Sequence, residues 1–149
     1  MQTYDFFLAV SYKVSCVAGS AYRRAIESIL EECDRLGLTI YAAPVVENWG
    51  TNRPARRDAI ANDHAALREC AHFVYFTGGY ESDGALVELG MALSLNKRIT
   101  ILRWESENLP SHVNGFIEIG MAAEGIITTP DRAFVSLGPL RDKTPSDGA

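Results

Sequence analysis

The chain has 149 residues, about one domain's worth, and at that length folding buries roughly 70% of the unfolded surface, enough for one core without staples. Hydrophobic residues make up 47% and charged residues 22%, with a mean hydropathy of −0.03, which excludes collagen-like, disordered and disulfide-scaffold classes. Lys+Arg number 14 against 19 Asp+Glu, a net charge of −5, so the chain lacks the basic face that grips a nucleic-acid polymer, while one local anion pocket stays compatible with it.

Asp5 to Ser11 (DFFLAVS) is a continuous apolar run and predicts a buried strand. Ser20 to Leu36 carries Tyr22, Ala25, Ile26, Ile29, Leu30, Cys33 and Leu36 at helical spacing, capped by Ser20 and stopped at Gly37. Leu38 to Ala43 predicts a second strand, ended by Pro44, and PVVENWGTNRP a loop. A helix is predicted from Ala55 to Cys70, with Ile60, Leu67 and Cys70 on its packed side. His72 to Thr77 predicts a third strand closed by Gly78-Gly79, Gly84 to Leu95 a helix ending at Asn96, and Arg98 to Leu102 a fourth strand. A helix led by Pro110 and a strand from Gly125 to Thr129 complete the set, and the polar LRDKTPSDGA reads as a loose tail over 140–149 after a single domain over 1–139.

Short strands alternating with helices predict βα units and a parallel sheet: an α/β three-layer sandwich with five parallel strands, flavodoxin-like or Rossmann-like. Such sheets bind ligands beyond the carboxyl ends of their strands, which directs attention to Ser11–Lys13, Pro44–Gly50, Thr77–Glu88 and the residues after Arg103. Cys16, Cys33 and Cys70 are odd in number and lack CxxC spacing, so reduced thiols of a cytoplasmic protein are expected, with neither a metal site nor a disulfide frame. No apolar run approaches 18 residues and the first residues, MQTYDFFLAVSY, lack the basic region and cleavage site of a signal peptide, so no membrane segment is expected.

Ser82, Asp83 and Gly84 open a helix whose free N–H groups suit a phosphate or carboxylate. Glu88 follows amid Leu86, Val87, Leu89 and Gly90; it is either a residue of the exposed stripe or a carboxylate with a chemical role. Asp63 lies in the preceding helix beside His64, either on a solvated face or opposite Glu88 in the paired-carboxylate arrangement of glycosidic cleavage. Glu47-Asn48-Trp49-Gly50 places an aromatic ring after the second strand, as a stacking surface or a cap on the core. Ser11-Tyr12-Lys13 brings a hydroxyl, a ring and a cation to the same rim. His64, His72 and His112 show no zinc-ligand spacing, and GxGxxG, GxxxxGK[ST] and GxSxG are all missing.

The stretches GLTIYAAPVVENWG, NDHAALRECAHFVYF and ESDGALVELGMALSLNKRITIL resemble the nucleoside 2-deoxyribosyltransferase-like N-glycosidases. The resemblance spans about residues 4–130 and is nearest to the CMP N-glycosidase branch, with its Trp-Gly loop, Asp-His pair and S-x-G-x-x-V-E-I-G motif; ELGMALSLNKRITILR also resembles the 2′-deoxynucleoside 5′-phosphate N-hydrolases. It implies Glu88 as nucleophile, Asp63 as the acid at the leaving base, and Ser82 and Gly84 as a phosphate cradle. It further implies Ser11, Tyr12 and Lys13 as a loop holding base and phosphate, Glu47 and Trp49 beside the base, and Ser111 near a neighbouring subunit's phosphate. Two departures stand out: Ala71-His72-Phe73 replaces an Ala-Asp-Val that is common in the family, and the first loop, AVSYK, is not Gly-rich.

The implied activity is hydrolysis of the base–sugar bond of a nucleoside 5′-monophosphate, a pyrimidine nucleotide such as CMP or a modified CMP. No metal or cofactor is implied, Glu88 is expected to be kept ionised by its helix dipole, and a homodimer is expected. The alternatives are a nucleoside deoxyribosyltransferase and a non-catalytic nucleotide-binding module on the same fold.

Overall fold

The computed structural model describes residues 4–120 and 125–130. Its strands are β1 (Tyr4–Val10), β2 (Ile40–Tyr41), β3 (Cys70–Phe76), β4 (Arg98–Trp104) and β5 (Gly125–Thr129). Between them lie α1 (Tyr12–Ser15), α2 (Ala21–Leu36), α3 (Ala43–Val46), α4 (Arg56–Glu69), α5 (Asp83–Ser94) and α6 (Ser111–Glu118). Every pairing is parallel and the strand order is β2-β1-β3-β4-β5. The order changes direction between β1 and β3, so the connections leaving these neighbours diverge and open a crevice at their carboxyl ends.

Strand side chains alternate between the two faces of the sheet. Phe6, Leu8, Val10, Val74, Phe76, Leu102 and Trp104 pack with Tyr22, Ala25, Ile26, Ile29 and Cys33 of α2. Phe7, Ala9, Phe73, Tyr75, Ile99 and Ile101 pack with Ala66 and Leu67 of α4, Ala85, Leu89 and Ala92 of α5, and Val113 of α6. With both faces covered, the inner strands are mostly apolar, the pattern that announced them in the sequence, with the buried pair His72 and Thr100 bonded to each other across β3 and β4. Among the described residues no helix is long and apolar enough to cross a membrane.

Helix α2 has the predicted ends. Ser20 Oγ accepts the Arg23 N–H at 3.1 Å, and Gly37 takes φ 69°, while Leu38 N–H reaches back to the Cys33 carbonyl at 2.9 Å in a Schellman turn. Strand β2 is shorter than Leu38–Ala43 because it is an edge strand that pairs only through Ile40 and Tyr41. Just before it, the Thr39 carbonyl accepts the N–H groups of Asp5 and Phe6, each at 3.0 Å, and the Asp5 carboxylate accepts the Thr39 N–H at 2.8 Å. The segment read as a loop after it contains the single turn α3, and α1 is likewise an unpredicted single turn.

Helix α4 ends at Glu69 and β3 begins at once, two residues earlier than predicted. Lys97 Nζ donates to the carbonyls of Arg68 and Cys70, each at 2.7 Å, placing a cation on the helix's negative end. Ile60 corrects the predicted packed side, being 65% exposed. The inward stripe of α4 is Asp63, Ala66 and Leu67; Ile60, one turn earlier, lines the crevice. The proposed tail over 140–149 lies outside the described residues.

Tyr22 connects this frame to the crevice. Its hydroxyl accepts the Ser11 N–H at 3.0 Å and donates to the Phe76 carbonyl, joining the ends of β1 and β3. Gly78, at φ 62°, must be glycine, because a Cβ there would lie 2.7 Å from the Tyr22 ring. Tyr22→Phe strands a buried N–H, so urea unfolding is expected to show a loss of about 1–3 kcal/mol with unchanged secondary structure; an unchanged midpoint would mean that Ser11 finds another partner.

Candidate active site

Between α4 and α5, over the ends of β1 and β3, lies a cavity of about 360 Å³, within the range of small-molecule sites. Leu8, Val10, Ile60, Leu67, Val87 and Met91 give it apolar walls, and Tyr12, Asp63, His64, Ser82 and Glu88 supply its polar groups. Glu88 stands one turn after Gly84 on α5, and Asp63 faces it from α4, near enough for its charge to act on the Glu88 carboxyl. The two acids singled out in the sequence thus share one crevice, and the exposed-stripe reading of each is set aside.

Burial, reinforced by the Asp63 charge, pushes Glu88 up to about 8 from an ordinary 4.5. Asp63 is raised too, by burial first and by the Glu47 charge, but the Tyr41 hydroxyl works the other way, donating to Asp63 Oδ1 at 2.7 Å. Both carboxyls are thus raised, Glu88 to about 8, with the Tyr41 hydroxyl offsetting part of the rise at Asp63. This corrects the expectation that the α5 dipole keeps Glu88 ionised: desolvation and a like charge outweigh a helix terminus.

The start of α5 is tied to β1. Ser82 Oγ accepts the Ala85 N–H at 3.2 Å and lies 3.5 Å from the Val10 carbonyl, while Ser11 Oγ, buried, donates to the Glu81 carbonyl at 3.4 Å. Gly84 lies on the cavity wall, with nothing within 4 Å of where a Cβ would stand. Glu47 is 8% exposed and accepts the Tyr12 hydroxyl at 3.3 Å. Burial and the Glu47 charge lift Tyr12 to about 12, so that hydroxyl stays a donor. Behind Asp63 a smaller cavity of about 200 Å³ is lined by Tyr41, Glu47, Asn52 and Asn62 among others.

Lys13 and Trp49 lie elsewhere, in an open groove of about 550 Å³ shared with Tyr12, Cys16, Gly50 and Arg53. Trp49 partly caps the α2 side of the core, with the Arg23 guanidinium 4.1 Å from its ring centre. Asn48 and Trp49 both take positive φ, 47° and 55°, which turns the chain so that Glu47 points inward while Trp49 borders the groove. Ser111 is exposed at the start of α6 and lines none of these three cavities. His72 is fully buried, its Nε2 lying 2.8 Å from Thr100 Oγ1 across β3 and β4, a core position. Among the described residues no group of three or more His, Cys, Asp or Glu is arranged to hold a metal ion.

Tyr41, which bonds Asp63, and Arg53, which lines the groove with Lys13, are residues that the sequence reading passed over. Tyr41 is the last residue of its strand, just short of the loop searched for chemistry, and Arg53 lies in a polar loop where nothing marks it.

Comparison with protein-family profiles finds no match, and no curated protein matches in sequence. Among solved structures the chain is similar to the CMP N-glycosidase BcmB of Clostridium botulinum, with a TM-score of 0.59 and 21% identity over 86% of this chain and 88% of that one. At that identity the likeness establishes a common fold.

The raised Glu88 carboxyl has a consequence for stability. Between about 4.5, its ordinary value, and about 8 the folded chain binds more protons there than the unfolded one, so this group's contribution to stability falls as pH rises through that window. Glu88→Gln is expected to raise the melting temperature, and by more at about pH 8.5 than at about pH 5. Equal gains at both would show that Glu88 titrates like a surface carboxylate.

Proposed function

We propose that the protein hydrolyses the base–sugar bond of a nucleoside 5′-monophosphate, a pyrimidine nucleotide such as CMP or a modified CMP. The observation that carries this reading is the pair of facing carboxylates, Glu88 and Asp63, in an apolar crevice at the β1/β3 divergence. The fold shared with a CMP N-glycosidase supports it.

The pair works with one shared proton. Cleavage needs a carboxylate at C1′, where positive charge develops, and an acid at the departing base. The resting pair carries the proton on Glu88; moving it to Asp63 gives the reactive arrangement at the same net charge, so pH does not alter the ratio of the two forms. Glu88 then bonds to C1′ as the C–N bond breaks and the base leaves with the Asp63 proton. Asp63, now a carboxylate, takes a proton from the incoming water, whose oxygen displaces Glu88 from C1′ and restores the pair. Apolar walls strengthen these charges by excluding water, and the Tyr12 ring in the wall offers a flat face to the substrate.

Ile60 and Val87, 65% and 62% exposed, stand at the mouth of this cavity. A second copy of the chain covering them gives the homodimer we assign to the working enzyme.

Purified protein is expected to release a free base, seen by HPLC, from one or more of CMP, dCMP, UMP, dUMP, AMP, dAMP, GMP and dGMP. Asp63→Asn should lose roughly 10²- to 10⁴-fold in rate, and Glu88→Ala at least as much. Release that appears only when a second free base is supplied would indicate a transferase, and nucleotide binding without turnover a binding module.

The rate is expected to fall as pH rises above about 8, where the pair loses its shared proton. Tyr41→Phe removes the bond that favours ionised Asp63, so the acid limb of the profile should move to higher pH. An unmoved limb would mean that Tyr41 only packs.

A further inference from the structure

We propose that Glu47 is a positioning residue for the reaction: from the cavity behind Asp63, its carboxylate directs the shared proton to Asp63, the group that hands it to the leaving base. This rests on the N-glycosidase reading and deepens it.

Glu47 is placed by its own backbone. Its N–H donates to the Ala43 carbonyl at 3.1 Å, closing the single turn α3, and its carbonyl accepts the N–H groups of Gly50 at 3.1 Å and Asn52 at 3.0 Å. The left-handed residues Asn48 and Trp49 allow so tight a return of the chain. Glu47 does not line the crevice that holds Glu88; it lines the cavity of about 200 Å³ to which Asp63 also belongs.

A carboxylate as buried as Glu47 loses hydration that a cation or several donors would normally replace. Among the described residues no Lys or Arg forms an ion pair with it. The Tyr12 hydroxyl donates to Oε1 at 3.3 Å, and Arg53, which stands over the Tyr12 ring, belongs to the adjoining groove. The Glu47 charge is therefore left to act on Asp63.

The groups that face Asp63 pull in two directions. From β2 the Tyr41 hydroxyl donates to Oδ1 at 2.7 Å and favours the carboxylate. From the turn after α3 the Glu47 charge favours the neutral acid. Glu88, opposite on α5, is raised by burial and by Asp63. His64, next on α4, and Tyr12, from α1, complete the titratable groups of the crevice. A charge that acts on one member of a proton-sharing pair moves the proton within the pair. Glu47 thus gives more weight to the form with Asp63 neutral and Glu88 ionised, which is the form that cleaves. Tyr41 holds the Asp63 carboxyl in place, and Glu47 offsets the preference for the anion that this bond brings.

Glu47→Gln keeps an acceptor for Tyr12 and loses the charge, whereas Glu47→Asp keeps the charge on a shorter stem. With CMP as substrate, the acid limb of the kcat profile is expected to move down by about one pH unit in Glu47→Gln, opposite to the move expected of Tyr41→Phe. The plateau kcat should fall about tenfold, because one unit at Asp63 is a tenfold change in the share of the reactive form. KM should change little, and Glu47→Asp should keep the acid limb of the parent. Carbon-13 carboxyl titration reads the same coupling without turnover: the Asp63 signal, identified by its loss in Asp63→Asn, should titrate at lower pH in Glu47→Gln. An acid limb or an Asp63 signal that stays put in Glu47→Gln overturns this role, as does a loss shared equally by the Gln and Asp variants, while base release by the parent leaves the N-glycosidase reading standing. A parent that releases no base from any monophosphate overturns both.

Discussion

The register between β1 and β3 ends at Val10 and Phe76, and from there one hydroxyl holds the chains together. Tyr22 accepts from Ser11 and donates to Phe76, fixing the distance between the two segments that part to form the crevice. The end of β3 is secured again from β4, where the buried Glu107 carboxylate accepts the Thr77 hydroxyl at 3.3 Å and the Trp104 N–H at 3.1 Å. Ser82 and Ser11 then fasten the start of α5 to the end of β1. The position of Glu88 depends on these bonds in series, because a helix displaced at its first turn carries its second turn with it.

Around this frame the charges are sorted by sign. Asp63 and Glu88 line one cavity and Glu47 a second that shares Asp63, while Lys13 and Arg53 line a third. Such an acid cluster opposes folding, since each carboxylate loses water and feels its neighbours. Two tyrosine hydroxyls relieve part of that cost, Tyr12 at Glu47 and Tyr41 at Asp63. Glu88 is not relieved in this way and answers burial by keeping its proton. Ionising Glu88 thus works against folding, as it does for an acid placed in apolar surroundings beside a like charge.

The fold was legible because covered strands and amphipathic helices obey different periods. The apolar runs DFFLAVS, HFVYFT and RITIL located three strands to within two residues, and Ser20 and Gly37 marked both ends of α2. The edge strand was read too long, since its limits depend on how many residues find a partner in β1. Ile60 was assigned to the core because helical spacing shows which face of a helix turns inward but not how far along the helix burial extends. Glu88 and Asp63 were recognisable as acids in apolar company, and the fold brings them to one crevice. The rise of both carboxyls was not legible, because it comes from burial and from neighbours such as Tyr41, distant in sequence, whose hydroxyl meets Asp63 only in the folded chain. Trp49 belongs to the neighbouring groove for a similar reason: the left-handed turn at Asn48 and Trp49 sends Glu47 and Trp49 to different cavities.

Helix α4 divides unequally. Its buried residues are Ala66 and Leu67, both in its last turns, while Arg56 to Asn62 are exposed or nearly so. Asp63 stands at the boundary, held to the body of the protein by Tyr41. A segment with so little buried surface opens at lower free energy than the sheet does, and amide exchange in the single chain reads out that difference. Asp63 therefore sits where the buried end of α4 meets its exposed end, so whatever packs on that helix also sets how long its carboxylate stays in place.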